Sequence, residues 1–91
     1  MNIPAITNID TALKIYYSHS ELSNKEMAKL FGKLSSATIS RLKKHVKNEM
    51  NAREMLSYGA HTVNTVIAYE IWGINVTDLE KRKKKINELN L

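Results

Sequence analysis

The sequence predicts an all-α protein, built as a small bundle of four to five helices. Apolar residues recur at intervals of three and four along several segments, which is the spacing of one helix face. Serine or threonine followed three residues later by glutamate marks two helix starts, and Gly32 and Gly73 stand where apolar patterns stop. The 91 residues, 43% of them apolar, suffice for one modest core in one small domain.

The first helix is expected from about residue 9 to residue 18. Its apolar face follows the i, i+3, i+4, i+7 pattern and consists of Ile9, Ala12, Leu13 and Tyr16. Asn8 or Thr7 can cap its start, because either side chain can accept a hydrogen bond from a free backbone N–H of the first turn. The polar stretch "SHSELS" then ends the pattern.

The second helix is expected to begin at a capping box formed by Ser23 and Glu26. Its inner stripe consists of Met27, Leu30 and Phe31, while Lys25 and Lys29 point away from it. Gly32 ends the helix, since glycine readily adopts the positive φ that a helix C-terminus requires.

The third helix is predicted to follow the turn "KLSS", with Ser35 or Ser36 as its N-cap. At about 100° per residue, one face of this helix carries Ile39, Leu42 and Val46. Nearly the opposite face carries Ala37, Ser40, Arg41 and Lys44. Small residues allow close approach and the serine and arginine can form hydrogen bonds, so the outward face is suited to contact a polar partner.

Positive charge is concentrated in residues 23–53. This third of the chain carries eight basic and two acidic side chains, a net +6, so the rest of the +5 chain sums to −1. A basic zone on a nearly neutral body is typical of a protein with a polyanionic partner. The alternative is a solvated surface, because many exposed lysines serve only solubility.

The stretch "NKEMAKLFGKLSSATISRLKK", residues 24–44, resembles the helix-turn-helix of bacterial and phage DNA-binding proteins. The residues that carry this resemblance are Ala28, Gly32, Leu34, Ser35, the run "TISR" at 38–41, and Leu42. "SATISRL" is similar to the recognition helices of resolvase-type and small regulator domains. Lys33 makes the turn one residue longer than the common form. The resemblance covers roughly a quarter of the chain and implies a helix-turn-helix DNA-binding region within residues 1–52.

The resemblance and the basic zone together predict a set of DNA contacts. Arg41 can pair with guanine O6 and N7, and Lys43 and Lys47 flank the same face, where phosphates would run. The N-terminus of the third helix, with its serines, is suited to a phosphate. The predicted DNA-binding residues are Ser35, Ser36, Ala37, Thr38, Ser40, Arg41, Lys43, Lys44, Lys47, Lys25 and Lys33.

Residues 53–91 are expected to form a C-terminal helical region that mediates dimerisation. The third helix extends to about residue 50 or beyond, or kinks into a fourth, and Tyr58 and Gly59 end that segment. "HTVNTVIAYEIW" fits a helix or a strand, because its apolar residues match both periods. We prefer a helix ending at Gly73, since no second strand with a turn signal is visible.

The last helix is predicted to begin at a capping box of Thr77 and Glu80. Leu79, Ile86 and Leu89 in this helix have the spacing of a short coiled-coil seam. The predicted dimer surface consists of Trp72, Ile74, Leu79, Ile86 and Leu89. The run "KRKKK" at 81–85 points all round the helix axis and is interpreted as a solvated face, with an auxiliary phosphate contact as the alternative.

The sequence favours neither catalysis nor a bound cofactor. His19, His45 and His61 are isolated, no glycine-rich phosphate loop occurs, and the absence of cysteine excludes disulfides and thiolate metal sites. The N-terminal residues do not resemble a signal peptide, and the longest apolar run, near Val66, is too short to span a bilayer. We therefore expect a cytoplasmic protein that is not an enzyme and has no membrane contact.

The expected function is sequence-specific binding of double-stranded DNA by a homodimer, as a small transcriptional regulator of a bacterium, phage or mobile element. A phage packaging or excision accessory protein that binds DNA is the nearest alternative. An alternative of another class is a helical protein-interaction module or inhibitor that uses its apolar C-terminal half. Ala37, Ser40 and Arg41 favour DNA, because an interaction module would more naturally carry large apolar side chains on that face.

Overall fold

The computed structural model describes residues 3–55 and 61–89, and the chain is mostly helical, as predicted. Five helices and two short strands occur in the described ranges. The helices are α1 (Ile9–Ser18), α2 (Asn24–Phe31), α3 (Ser36–Ala52), α4 (Thr65–Ile71) and α5 (Val76–Leu89). The strands are β1 (Glu21–Leu22) and β2 (Val63–Asn64).

Helices α1 and α2 begin at the caps that the sequence predicts. Asn8 Oδ1 accepts a hydrogen bond from the Thr11 N–H at 2.7 Å, which selects Asn8 over Thr7 as the cap of α1. Ser23 and Glu26 form the reciprocal capping box, with the Ser23 N–H donating to Glu26 Oε1 at 3.0 Å. This backbone hydrogen bond favours the charged carboxylate and lowers the pKa of Glu26.

Gly32 ends α2 with a backbone conformation that only glycine adopts without strain. Its φ of +84° and ψ of −166° lie in a region that is essentially restricted to glycine. The preceding residues are held from outside the helix, because the Thr7 N–H donates to the Leu30 carbonyl at 2.8 Å. The conformation of Gly32 and the hydrogen bond from Thr7 therefore define how the segment Gly32–Ser35 leads the chain from α2 into α3.

Replacing Gly32 with alanine should lower the free energy of unfolding by about 1–3 kcal/mol, through backbone strain. A clash is not the reason, because a Cβ built at Gly32 would lie 3.5 Å from Thr7 Cγ2, an ordinary contact. Urea denaturation followed by circular dichroism measures the loss. The neighbouring exposed Lys33→Ala is the control and should change stability by less than about 0.5 kcal/mol. Equal stability of Gly32→Ala and the wild type would contradict the strained turn.

Helix α3 is one continuous helix that extends to Ala52, so it does not kink into a further helix. Ser35 is its N-cap, because Ser35 Oγ accepts from the Thr38 N–H at 3.2 Å. The predicted end of this segment at Tyr58 and Gly59 lies outside the described residues.

The prediction for "HTVNTVIAYEIW" is correct for its second half and wrong for its start. Val63 and Asn64 form β2, which pairs antiparallel with β1 in the register Leu22–Val63 and Glu21–Asn64. Asn64 then caps α4, with Oδ1 accepting from the Ile67 N–H at 2.9 Å. The helix cannot begin earlier, because Asn64 has the extended backbone of a cap and Val63 is fully buried in the ladder.

The start of the last helix is also corrected. Helix α5 begins at Val76, and Asn75 Oδ1 accepts from the Asp78 N–H at 2.9 Å, so the predicted capping box of Thr77 and Glu80 does not form. Asparagine is among the strongest N-cap residues. Asn75 precedes Thr77 by two residues, so the helix has already begun when the chain reaches the predicted cap. The Glu80 carboxylate instead accepts a hydrogen bond from the Tyr17 hydroxyl of α1.

All five helices contribute to a single hydrophobic core. Helix α1 packs against α2 and α5, while α3 packs against α4 and β2. Two buried hydrogen bonds tie the halves together: the Tyr69 hydroxyl donates to the Ala12 carbonyl at 2.6 Å, and Trp72 Nε1 donates to the Leu42 carbonyl at 3.3 Å. Residues 1–52 and 53–91, expected to be two regions with separate tasks, thus share one core.

The core contains part of the predicted dimer surface. Trp72 is 4% exposed and Leu79 is 6% exposed, and Ile74 packs against the same core. Trp72 is covered because its ring lies edge-on to Phe31, with the ring centres 5.3 Å apart. The prediction that Trp72 and Leu79 face a second chain is therefore corrected, while Ile74 is only partly buried. The large apolar side chains exposed on α5 are Ile86 and Leu89.

Candidate nucleic-acid interface

The outward face of α3 carries the predicted small, polar and cationic side chains. Leu42, Val46 and Met50 are buried, which fixes the orientation of the helix. The side chains on the opposite face are exposed, namely Ser36, Ala37, Ser40, Arg41 and Lys44. The periodicity of the sequence thus placed this face correctly.

Two of the predicted contact residues take part in the helix cap. Ser35 Oγ donates to Thr38 Oγ1 at 2.9 Å while it accepts from the Thr38 N–H. The first turn of α3 contains no acidic residue, so the positive end of the helix dipole is not neutralised by its own side chains. Ser36 lies in this turn and is exposed.

Lys43 is held in place by two hydrogen bonds that the local sequence pattern does not reveal. Its Nζ donates to Asn24 Oδ1 at 3.0 Å and to the backbone carbonyl of His61. Partial burial lowers the pKa of Lys43, and the positive charge of Lys47 lowers it further. Lys43 therefore links α3 to the start of α2 and to the chain before β2.

These groups surround a cavity of about 430 Å³ beside the N-terminal half of α3. Its lining contains three lysine side chains, an imidazole and two serine hydroxyls, and no carboxylate. The lining residues are Asn24, Ser36, Ile39, Ser40, Lys43, Lys44, Lys47 and His61. Such a lining offers many hydrogen-bond donors under positive charge, which is the chemistry that a phosphate group requires. Sequence reasoning missed Asn24 and His61, because only the tertiary fold brings them to α3.

Lys25 and Lys33 are exposed but do not line this cavity. Lys25 lies in the first turn of α2, next to Asn24, and Lys33 lies in the connection between α2 and α3. The structure therefore groups Lys43, Lys44 and Lys47 and leaves Lys25 and Lys33 outside the group.

Arg53 belongs to the basic zone in the sequence but is neutralised in the structure. Its guanidinium forms a two-pronged ion pair with Glu70, at 3.1 and 3.2 Å, and a third contact with Glu49 at 2.7 Å. These hydrogen bonds raise the pKa of Arg53, and the partner guanidinium lowers the pKa of Glu70. Because Arg53 and Glu49 cancel, residues 23–47 retain the net +6, with seven basic groups and Glu26.

The five basic residues at 81–85 are all exposed on α5. Two of them are paired: Arg82 contacts Asp78 at 3.1 Å and Lys83 contacts Asp10 at 3.0 Å. This placement agrees with the interpretation of the run as a solvated helix surface.

No protein-family model, curated protein or solved structure matches this chain. Among residues 3–55 and 61–89, no three histidine or carboxylate side chains lie close enough to hold a metal ion. None of the helices described is long and apolar enough to cross a membrane. The structure shows α2 and α3 joined by Gly32–Ser35, and the helix-turn-helix assignment stays a prediction.

Proposed function

We propose that the chain binds double-stranded DNA through the outward face of α3 and acts as a small transcriptional regulator of a bacterium, phage or mobile element. The observation that carries this proposal is the exposed row of small, hydroxyl and cationic side chains beside a cavity that contains no acid. A phage packaging or excision accessory protein would use the same surface, because both tasks begin with duplex binding.

The dimensions and order of side chains on α3 suit the major groove of DNA. The 17 residues of α3 form a helix about 25 Å long, and a groove roughly 12 Å wide admits a helix of this diameter. Ala37 and Ser40 at its N-terminal end allow close approach to the bases. Arg41 follows as the candidate for guanine, and Lys44 and Lys47 lie further along, toward the phosphates.

The proposal assigns base recognition to Arg41 and phosphate contact to Lys47. Selection of bound duplexes from a random pool, carried out with each alanine variant, can distinguish these two roles. Arg41→Ala should relax base preference at one position and cost about 1–3 kcal/mol for the preferred sequence. Lys47→Ala should weaken binding to every sequence alike, because phosphates are common to all sequences. If both variants weaken all sequences uniformly, α3 does not read bases.

We further propose that two chains associate through α5. Ile86 is 49% exposed and Leu89 is 76% exposed, and no residue of α5 after Leu79 is buried within the chain. A helix-turn-helix covers only a few base pairs, so two copies are usually needed for useful specificity. In a two-fold dimer the paired α3 helices would lie about one DNA turn apart, and the preferred site would be an inverted repeat.

Sedimentation equilibrium at tens of micromolar tests the association, and the wild type should sediment as a dimer. Ile86→Asp should give a monomer, because a carboxylate would be buried without a partner in the interface. The neighbouring exposed Asn87→Asp adds the same charge beside the seam and should leave the dimer intact. A monomeric wild type, unchanged by Ile86→Asp, would contradict the dimer.

The protein-interaction module remains the candidate from another class, and one observation favours it. Among the residues that the structure describes, the exposed large apolar side chains are Tyr17, Val66, Ile86 and Leu89, and none of them lies on α3. A module of this kind would bind its partner through α5 and would not bind duplex DNA at low salt.

A further inference from the structure

A second cavity without acidic lining lies between α1 and the C-terminal part of α2. Its volume is about 420 Å³. The lining contains the basic residues Lys14 and Lys29, the imidazole of His19, and the hydroxyl-bearing residues Thr7, Thr11 and Ser18. None of these residues belongs to the outward face of α3, so the cavity is separate from the DNA surface proposed above.

Within the part of the chain that the structure describes, neither lysine of this cavity, Lys14 or Lys29, is paired directly with a carboxylate. The nearest acid along α1 is Asp10, which contacts Lys83 of α5 at 3.0 Å. The acid that faces His19 is Glu26, which accepts hydrogen bonds from Ser23 in the capping box. Both carboxylates therefore have partners outside the cavity. Lys14 also lines a neighbouring cavity between α1 and α5, where Glu80 accepts a hydrogen bond from the Tyr17 hydroxyl and Glu88 is a further acid.

Hydrogen bonds hold part of the wall of the cavity in place. Thr7 Oγ1 donates to the Lys29 carbonyl at 2.9 Å and holds the N-terminal segment against α2. The Asn8 cap fixes the first turn of α1, where Thr11 lies. In the described residues, the hydroxyls of Thr11 and Ser18 have no hydrogen-bond partner. Two lysines, two hydroxyl-bearing residues and a histidine thus line one cavity.

We propose that this cavity binds the phosphate group of a small molecule. A phosphate presents three strong acceptor oxygens and up to two negative charges, which match two lysines and two hydroxyl donors better than a single carboxylate would. The volume lies in the range of small-molecule sites and exceeds that of a phosphate, so it leaves room for the carrier of the phosphate. The bound group would bridge α1 and the end of α2, immediately before the Gly32 turn into α3.

Two-dimensional NMR of the full chain, titrated with inorganic phosphate at constant ionic strength, tests this site. We expect saturable shifts of the backbone amides of residues 7–19 and 29–31, and no such shifts with chloride. The variant Lys14→Gln/Lys29→Gln should bind phosphate at least about tenfold more weakly, because it loses two charge-assisted hydrogen bonds. The control Lys81→Gln/Lys85→Gln removes the same charge from the exposed surface of α5 and should change the affinity less than about twofold.

Three results would overturn the proposed phosphate site. The shifts could fail to saturate, chloride could reproduce them, or the α5 control could weaken phosphate binding as much as the cavity variant does. A parallel titration with duplex DNA distinguishes the source of the phosphate. If duplex DNA shifts the cavity amides and inorganic phosphate does not, the small-molecule assignment is wrong and the cavity holds a backbone phosphate. Because the first titration contains no DNA, its result tests the phosphate site independently of the proposed DNA binding.

Discussion

Replacing Trp72 with alanine should lower the free energy of unfolding by about 3–5 kcal/mol. Trp72 is 4% exposed, packs edge-on against Phe31, and donates its indole N–H to the Leu42 carbonyl in α3. The alanine variant loses the burial of the whole ring and leaves a cavity between α3 and α4. A loss of this size is a large fraction of the total stability of a small domain.

Thermal and urea unfolding measure this loss, and the Tm should fall by more than about 12 °C. Trp72→Phe is the matched control, because it keeps an aromatic ring against Phe31 and removes the hydrogen bond to Leu42. We expect the phenylalanine variant to lose much less stability than the alanine variant, since one neutral hydrogen bond contributes about 1 kcal/mol. If Trp72→Ala unfolds like the wild type but sediments differently, Trp72 belongs to a dimer interface after all.

The elements that the sequence predicted well depend on contacts between near neighbours. Asn8, Ser23 with Glu26, and Ser35 each cap a helix through a residue two or three positions away. Gly32 ends α2 through its own backbone conformation. Such signals are complete within a few residues, so the bounds of α1 and α2 and the start of α3 follow from the sequence alone.

Apart from the start of α5, where the nearby Asn75 forms the cap, the errors lie where distant residues decide the structure. The two-residue strands have no periodicity of their own, and Val63 is extended because it pairs with Leu22, far away in the chain. Leu79 was predicted to lie at a dimer surface because the apolar stripe of the last helix is narrow, and Trp72 because it comes just before that stripe. Their burial depends on α1 and α3 and on the N-terminal segment, which no local pattern reveals.

In the candidate interface too, the sequence predicts what depends on the helical period and misses what depends on contacts between distant segments. The outward direction of Arg41 and Lys44 follows from the helical period, because Leu42 and Val46 must face the core. The contacts of Lys43 with Asn24 and His61 do not follow from it, since they join three separate segments. The pairing of Arg53 with Glu70 of α4 likewise removes a charge that the sequence assigned to the basic zone.

The affinity for duplex DNA should fall steeply with salt if the lysines of this surface contact phosphates. Four contacts, two from Lys44 and Lys47 of α3 and two from the exposed Lys25 of α2 and Lys33 of the turn before α3, would give a slope of about −3.6 in a plot of log affinity against log salt concentration. Affinity would then fall about 150-fold between roughly 50 and 200 mM salt, because each contact releases counterions from the DNA.

The claim that α3 is the DNA surface is tested by fluorescence anisotropy of a labelled duplex over this salt range. The experiment compares two variants that each lose two positive charges. Lys44→Gln/Lys47→Gln removes two positive charges from α3, and Lys81→Gln/Lys85→Gln removes two from α5. We expect the slope to become less steep by about 1.8 in the α3 variant and to stay unchanged in the α5 variant. Equal changes in both variants, or no binding by the wild type even at low salt, would contradict the proposed interface.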